Sequence, residues 1–188
     1  MIVLAAGLAL FLGIHLVPAF PQSRRILVAK WGENRYKGVF SLASALGLAL
    51  IVAGYVLSDE RTPLFAPVAE ARAIAPFAMV VSFILFAAAN MRGHLRQAIR
   101  HPMLLGLLIW STVHFLANGD RKGTVLFGAF AAYALVDLGS AIARGAVKSF
   151  EPTAKHDVIA VAGGTLVALV VMTLHRVLFG PAVVPFGV

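Results

Sequence analysis

Residues 101–120 read HPMLLGLLIWSTVHFLANGD, and no residue between the two ends of this stretch carries a formal charge. An apolar stretch of this length can cross a bilayer as a helix. Pro102 suits the first helical turn because it lacks an N–H donor, and Asn118 and Gly119 are typical of a helix end. His114 lies inside the apolar stretch. A histidine at membrane depth is costly without a partner, so His114 is a candidate functional residue.

The composition predicts an integral membrane protein. The chain has 188 residues, of which 60% are hydrophobic and 13% are charged, and its mean hydropathy is +0.90. We predict a single transmembrane domain that spans residues 1–188. The formal charge of +8 falls in loops too short for a nucleic-acid domain, so we expect membrane lipids with anionic headgroups as partners and no nucleic acid. The absence of cysteine excludes disulfides, thiolate metal ligands and a cysteine nucleophile.

Six apolar segments predict an all-α fold, a polytopic transmembrane bundle of about six helices. We read the first segment as a retained helix, because no basic residue precedes it as in a signal peptide. Small residues spaced four apart predict close helix packing in the first, second and sixth segments. The segments are residues 2–20, 38–57, 73–91, 102–118, 123–143 and 157–179. The small residues are Ala5, Ala9 and Gly13; Ala43 and Gly47; and Ala160, Gly164 and Ala168.

Most Lys and Arg residues follow the first, third and fifth segments. The positive-inside rule therefore places these loops in the cytoplasm and both termini on the non-cytoplasmic side. Residues 22–37 predict either a connector that lies on the membrane or an ordinary basic loop. In the first interpretation Ser23 caps a short helix, and Trp31 and Tyr36 lie at the level of the lipid headgroups.

His15 and His114 are the two histidines that we place within the membrane. At 1.5 Å per residue, His114 lies roughly 20 Å from the cytoplasmic edge and His15 about 13 Å. This offset permits two imidazoles on opposite sides of one haem but does not require them, and hydrogen-bonded structural roles are the more common case for such a pair. His101 lies on a different helix face from His114, so the two cannot ligate one metal from that helix alone. His101 either caps the helix or acts as a proton donor at the membrane edge.

Asp137 is a costly residue at membrane depth. Tyr133 and Ser140 share its helix face at positions i−4 and i+3. A carboxylate in this environment must be paired or protonated, so Asp137 forms either a structural ion pair or part of a catalytic site. The candidate partners are Arg24, Arg25, Lys37 and a histidine.

Several motifs of the chain resemble the NnrU family. They are HLVPA at 15–19, YKGVFSL at 36–42, RHPMLLG at 100–106, and Trp110, His114 and LANGD at 116–120. The resemblance extends along most of the first five helices and is most specific in the fourth. Members are bacterial membrane proteins named for an association with nitrite and nitric oxide reduction. The plant 15-cis-zeta-carotene isomerase, a haem b enzyme, is similar to the same family.

The resemblance implies a protein of the bacterial inner membrane that binds haem b, and its histidines correspond to His15, His101 and His114, with His15 and His114 as the haem ligands. His101, and Asp137 because of its cost at membrane depth, are the candidate catalytic residues. Whether His15 or His101 pairs with His114 stays open. The reaction would be redox-linked cis–trans isomerisation of an apolar polyene or lipid, or electron transfer to respiratory-chain proteins in denitrification. The alternative is a non-enzymatic assembly or maturation factor for respiratory nitrogen-oxide reductases. A small-solute transporter with a path lined by Asp137 is the third interpretation.

Overall fold

The computed structural model describes residues 1–59, 62–180 and 183. The chain forms two compact units. Unit 1 comprises Met1–Ala66 and Gly119–Arg144, and unit 2 comprises Pro67–Asn118 and Gly145–Val188.

The described residues form nine α-helices and one short 3-10 turn. Unit 1 contains four of the helices and the turn, and unit 2 contains the other five. The helices of unit 1 are α1 (Ile2–Leu16), α2 (Pro21–Trp31), α3 (Glu33–Val56) and α7 (Arg121–Ala143), with the 3-10 turn at Val17–Ala19. Those of unit 2 are α4 (Ala69–Ala89), α5 (His94–Ile99), α6 (Pro102–Asn118), α8 (Ala154–Thr173) and α9 (His175–Phe179).

The predicted all-α membrane fold is confirmed. Five helical segments are long and apolar enough to cross a membrane, and α6 is a shorter apolar helix with the predicted bounds. The last predicted segment is divided in two, because α8 ends at Thr173 and α9 begins at His175. The orientation of the termini and the assignment of residues 1–188 to one domain stay predictions.

The predicted connector contains the helix α2. Ser23 does not cap this helix, because the helix already begins at Pro21, whose fixed φ suits the first turn. Gly32 ends α2 with a φ of 79°, a conformation that side chains with a Cβ rarely adopt. The next helix, α3, then begins at Glu33 rather than at the predicted residue 38.

In unit 1, α1 and α3 run antiparallel and in close backbone contact. A Cβ on Gly7 would lie 2.6 Å from the backbone nitrogen of Ile51, and a Cβ on Gly47 would lie 2.8 Å from that of Phe11. A Cβ on Gly54 would meet the backbone of Leu4. Glycine is therefore required at these positions, since a side chain would push the two helices apart.

A lysine in the first turn of α7 contacts the C-terminal end of α3 in unit 1. Lys122 is 8% exposed, and its Nζ donates hydrogen bonds to the carbonyl oxygens of Tyr55 at 3.1 Å and Ser58 at 3.0 Å. The ammonium also lies 4.5 Å from the centre of the Tyr55 ring. Carbonyls at the end of a helix lack intrahelical partners and attract cations, so Lys122 stabilises the end of α3.

In unit 2, α4 packs against both α6 and α8. The Ser82 hydroxyl, which is fully buried, donates to the carbonyl oxygen of Gly106 at 2.8 Å and so ties α4 to α6. On the other side, Gly164 of α8 lies directly against the backbone of Ile84. A hydrophobic core completes the unit, and its buried residues are Met79, Val113, Ala168 and Met172.

Candidate functional site

His15 lies near the end of α1, with its ring between two aromatic rings. The ring centres of Phe11 and Phe40 lie 4.3 Å and 5.0 Å from that of His15. The His15 Nδ1 is 2.7 Å from the carbonyl oxygen of Phe11. Because a carbonyl oxygen only accepts, Nδ1 carries the proton, and in the neutral ring Nε2 carries the lone pair.

The helix α7 lies beside this end of α1 and runs parallel to it. The ring of Phe130 in α7 is 6.1 Å from that of Phe11, and the Ser140 hydroxyl donates to the carbonyl oxygen of Ala19 at 2.6 Å. The later residue of α7 thus contacts the later residue of the α1 segment, so the two helices run in the same direction. The segment of α7 between Phe130 and Ser140 therefore lies at the level of His15.

Tyr133 and Asp137 belong to this segment and to the same helix face. The Tyr133 hydroxyl donates to the Asp137 carboxylate at 3.2 Å, as the predicted shared face requires. Asp137 has no ion pair among the described residues, and two of its predicted partners, Arg24 and Lys37, pair with Glu33 instead. Unit 1 therefore brings His15 and the Tyr133–Asp137 pair to one level.

His114 of unit 2 has the same local geometry as His15. Its Nδ1 lies 2.8 Å from the carbonyl oxygen of Trp110, four residues earlier, and the two rings are 5.1 Å apart. The Nδ1 again carries the proton, so the lone pair of the neutral ring lies on Nε2. At the end of α6, the side-chain amide of Asn118 donates to the carbonyl oxygen of His114 at 2.9 Å.

His101 immediately precedes α6 and is half-buried. Its carbonyl oxygen accepts the N–H of Leu105 at 3.1 Å, so its backbone begins the helix as predicted. Arg100, with a φ of 65°, turns the chain from α5 into this position. His101 and His114 are thus at opposite ends of α6, and they do not form one site.

The proximity of His175 to His114 was not predicted from the sequence. His175 begins α9 in unit 2 and lies within electrostatic range of His114. Packing explains this proximity, because Met172, three residues before His175, shares a core with Val113. No periodicity in the sequence reports a contact between these two segments.

The predicted site residues are divided between the two units. His15 and Asp137 belong to unit 1, and His101 and His114 belong to unit 2. Among the residues that the structure describes, no three His, Asp or Glu side chains form a group that could hold a metal ion. A haem iron differs from a metal ion held by protein alone, because the porphyrin supplies four ligands and the protein supplies only the axial ones.

The apolar helices and the family comparison together define the class of protein. Five helical segments that can cross a membrane, packed through glycines, characterise a polytopic integral membrane protein. The chain belongs to the NnrU family, since the family model described as NnrU protein matches residues 3–183. Searches of curated proteins and of solved structures gave no match.

Proposed function

We propose that this NnrU protein binds haem b in the bacterial inner membrane through the imidazoles of His15 and His114. The proposed activity is redox-linked cis–trans isomerisation of an apolar polyene or lipid, or electron transfer to respiratory-chain proteins in denitrification. The observation that carries the proposal is the hydrogen bond that each histidine makes from Nδ1 to the carbonyl four residues earlier.

This hydrogen bond fits an iron ligand. Metal-bound histidines almost always donate their second ring N–H to a carbonyl or carboxylate, which sets the tautomer and the ring orientation. His15 and His114 both have this arrangement, on different helices and in different units. In the neutral form each ring has its lone pair on Nε2, the atom that would ligate iron.

The surroundings of both histidines also fit a porphyrin. Phe11 and Phe40 lie against the His15 ring, and Trp110 lies against the His114 ring. Aromatic, apolar neighbours suit a flat hydrophobic macrocycle and exclude water from it. When bound, haem would supply a one-electron change of oxidation state at its iron.

Three other side chains could bind or transfer protons. Tyr133 and Asp137 place a hydroxyl and a carboxyl group at the level of His15, and together they can hold a proton within the apolar helices. His101 lies at the start of α6, and its imidazole is a side chain that could transfer a proton there. In this proposal His15 and His114 bind the cofactor, and Asp137 and His101 are the candidate catalytic residues.

The visible spectrum of detergent-purified protein, oxidised and reduced with dithionite, tests haem binding. We expect a Soret band that shifts on reduction and that is lost or strongly altered in His15→Ala and His114→Ala. His94→Ala is the matched control, because the His94 ring is also oriented through Nδ1, by the Asp157 carboxylate at 2.7 Å, but its side chain is 59% exposed. The control should keep the wild-type spectrum.

Two outcomes contradict the proposal. Wild-type protein without a Soret band, even after reconstitution with haem, would favour the assembly or maturation factor. A spectrum that survives both alanine variants would reject these two ligands. For haem-loaded protein, chromatography of a cis-polyene before and after incubation separates isomerisation from electron transfer. Asp137→Asn should keep the Soret band and lower the rate of conversion.

A further inference from the structure

The helix α2 lies between two segments that can cross the membrane. The first candidate span ends at Ala19, and the next begins at Glu33. α2 occupies Pro21–Trp31 between them, and none of its residues is buried. Because both of its ends are connected within two residues to a span, this exposed helix is held at the membrane surface whichever side it faces.

The basic residues of α2 and of the first turns of α3 fall into two groups. Arg24 and Lys37 pair with Glu33 at 2.9 Å and 3.3 Å, and the Arg24 guanidinium also lies over the Tyr36 ring at 5.5 Å. The second group has no carboxylate partner among the described residues, and all of its members are exposed. It consists of Arg25, Lys30 and Arg35.

Two of the unpaired cations flank an apolar side chain on the outer face of α2. At 100° per residue, Arg25, Ile26 and Lys30 fall within about 140° of the helix circumference. Ile26 is 60% exposed. Phe20, which precedes α2, is 52% exposed, and Trp31, the last residue of α2, is 36% exposed. We call Arg25, Ile26 and Lys30 the outer face of α2.

We propose that the outer face of α2 binds the headgroups of anionic phospholipids and enriches these lipids around this part of the protein. The cations supply charge complementarity to the lipid phosphates, and Ile26, which lies between them on this face, supplies an apolar contact with the upper part of the acyl chains. This exposed apolar side chain favours lipid over a soluble acidic partner, because α2 is held at the bilayer surface. Each basic residue near an anionic membrane changes binding on the order of five-fold.

Trp31 is a reporter for this lipid. The chain has two tryptophans, so Trp31 is the only tryptophan in the Trp110→Phe variant. The protein is reconstituted into vesicles of phosphatidylcholine and phosphatidylglycerol at a fixed ratio, with brominated acyl chains on only one of the two lipids. Bromine quenches tryptophan at short range. We expect brominated phosphatidylglycerol to quench Trp31 several-fold more effectively than the same mole fraction of brominated phosphatidylcholine.

Two double variants with equal changes of net charge give the control. R25Q/K30Q should remove the preference for phosphatidylglycerol, whereas K148Q/K155Q, which alters cations of unit 2, should keep it. Equal quenching by the two lipids in the Trp110→Phe protein would overturn the proposal and leave an acidic protein partner for this face. The same preference in both double variants would also overturn it.

A salt titration keeps the test valid if R25Q/K30Q does not fold. Exposed charges are screened by salt, so the preference for phosphatidylglycerol in the Trp110→Phe protein must fall as the salt concentration rises. A preference that is insensitive to salt would reject recognition by the cations of α2.

Discussion

A methyl group on Gly164 should separate α8 from α4, whereas a methyl group on its neighbour Gly163 should not. A Cβ built on Gly164 would lie 2.6 Å from the Ile84 Cα and 2.7 Å from the Ile84 backbone nitrogen. A Cβ on Gly163 meets no described atom within 4 Å. The two glycines are adjacent in one helix, so the variants Gly164→Ala and Gly163→Ala differ only in what the methyl group meets.

The magnitude follows from this distance. Non-bonded carbon atoms rest about 3.5–4.0 Å apart, so α4 and α8 must move apart by about 1 Å to admit the methyl group at Gly164. Overpacking of a close contact costs about 1–3 kcal/mol, and here the upper end applies because backbone cannot change rotamer. Alanine favours the helix by about 1 kcal/mol over glycine. Gly164→Ala should therefore lower the free energy of unfolding by about 2 kcal/mol, and Gly163→Ala should raise it by about 1 kcal/mol.

Reversible unfolding in mixed micelles, with rising SDS and far-UV circular dichroism as the signal, measures both values. The expected difference of about 3 kcal/mol corresponds to more than a hundred-fold in the equilibrium constant. Both variants should keep the wild-type helical signal before unfolding. If Gly164→Ala is as stable as Gly163→Ala, then α4 and α8 are not in backbone contact and the account of unit 2 is wrong.

Three further changes test other contacts. Gly54→Ala should destabilise the protein by about 2 kcal/mol, because its methyl group would meet the backbone of α1. Gly38→Ala, on the open side of α3, should not destabilise the protein, and SDS unfolding compares the two variants. Lys122→Met removes the ammonium and leaves the Tyr55 and Ser58 carbonyls without this donor, so it should lower the free energy of unfolding by about 3 kcal/mol; an unchanged value would refute the role of Lys122 at the end of α3. Asp157→Ala removes the carboxylate that accepts the first two N–H groups of α5 and should destabilise α5 locally. Hydrogen exchange should then become faster in α5 and stay unchanged in α3, and slow exchange in α5 would contradict the capping.

The bounds of α6 could be predicted because they depend on local chemistry. Pro102 and the Asn118–Gly119 pair mark the ends of an uncharged apolar stretch, and the helix runs from Pro102 to Asn118. The predicted start of α3 was wrong because it does not depend on an apolar pattern. Residues 33–37 are mostly polar, so the apolar pattern does not report that the helix already begins at Glu33.

Helix faces were harder to predict than helix bounds. The predicted small residues of α8 do form its contact with α4, since Ala160 and Ala168 are almost fully buried and Gly164 meets Ile84. In α1 the prediction was wrong: Gly13 meets no described atom within 4 Å, and Gly7 makes the contact. Every face of such a helix is apolar, so composition cannot indicate which face packs.

The candidate site shows the same division between local and tertiary information. The hydrogen bond between Tyr133 and Asp137 follows from their spacing of four residues, and the structure contains it. The proximity of His175 to His114 depends on how α6 and α8 pack, and no local pattern encodes it. The level shared by His15 and Asp137 likewise depends on the register between α1 and α7.

The contacts of Lys122 have a consequence for the order of assembly during synthesis. Unit 1 is discontinuous in the chain, and its last helix, α7, is made only after α4, α5 and α6. The carbonyl groups at the end of α3 therefore lack this cation until three further helices have been synthesised. Lys122 follows Tyr55 by 67 residues, so the end of α3 acquires its buried cation only when α7 begins.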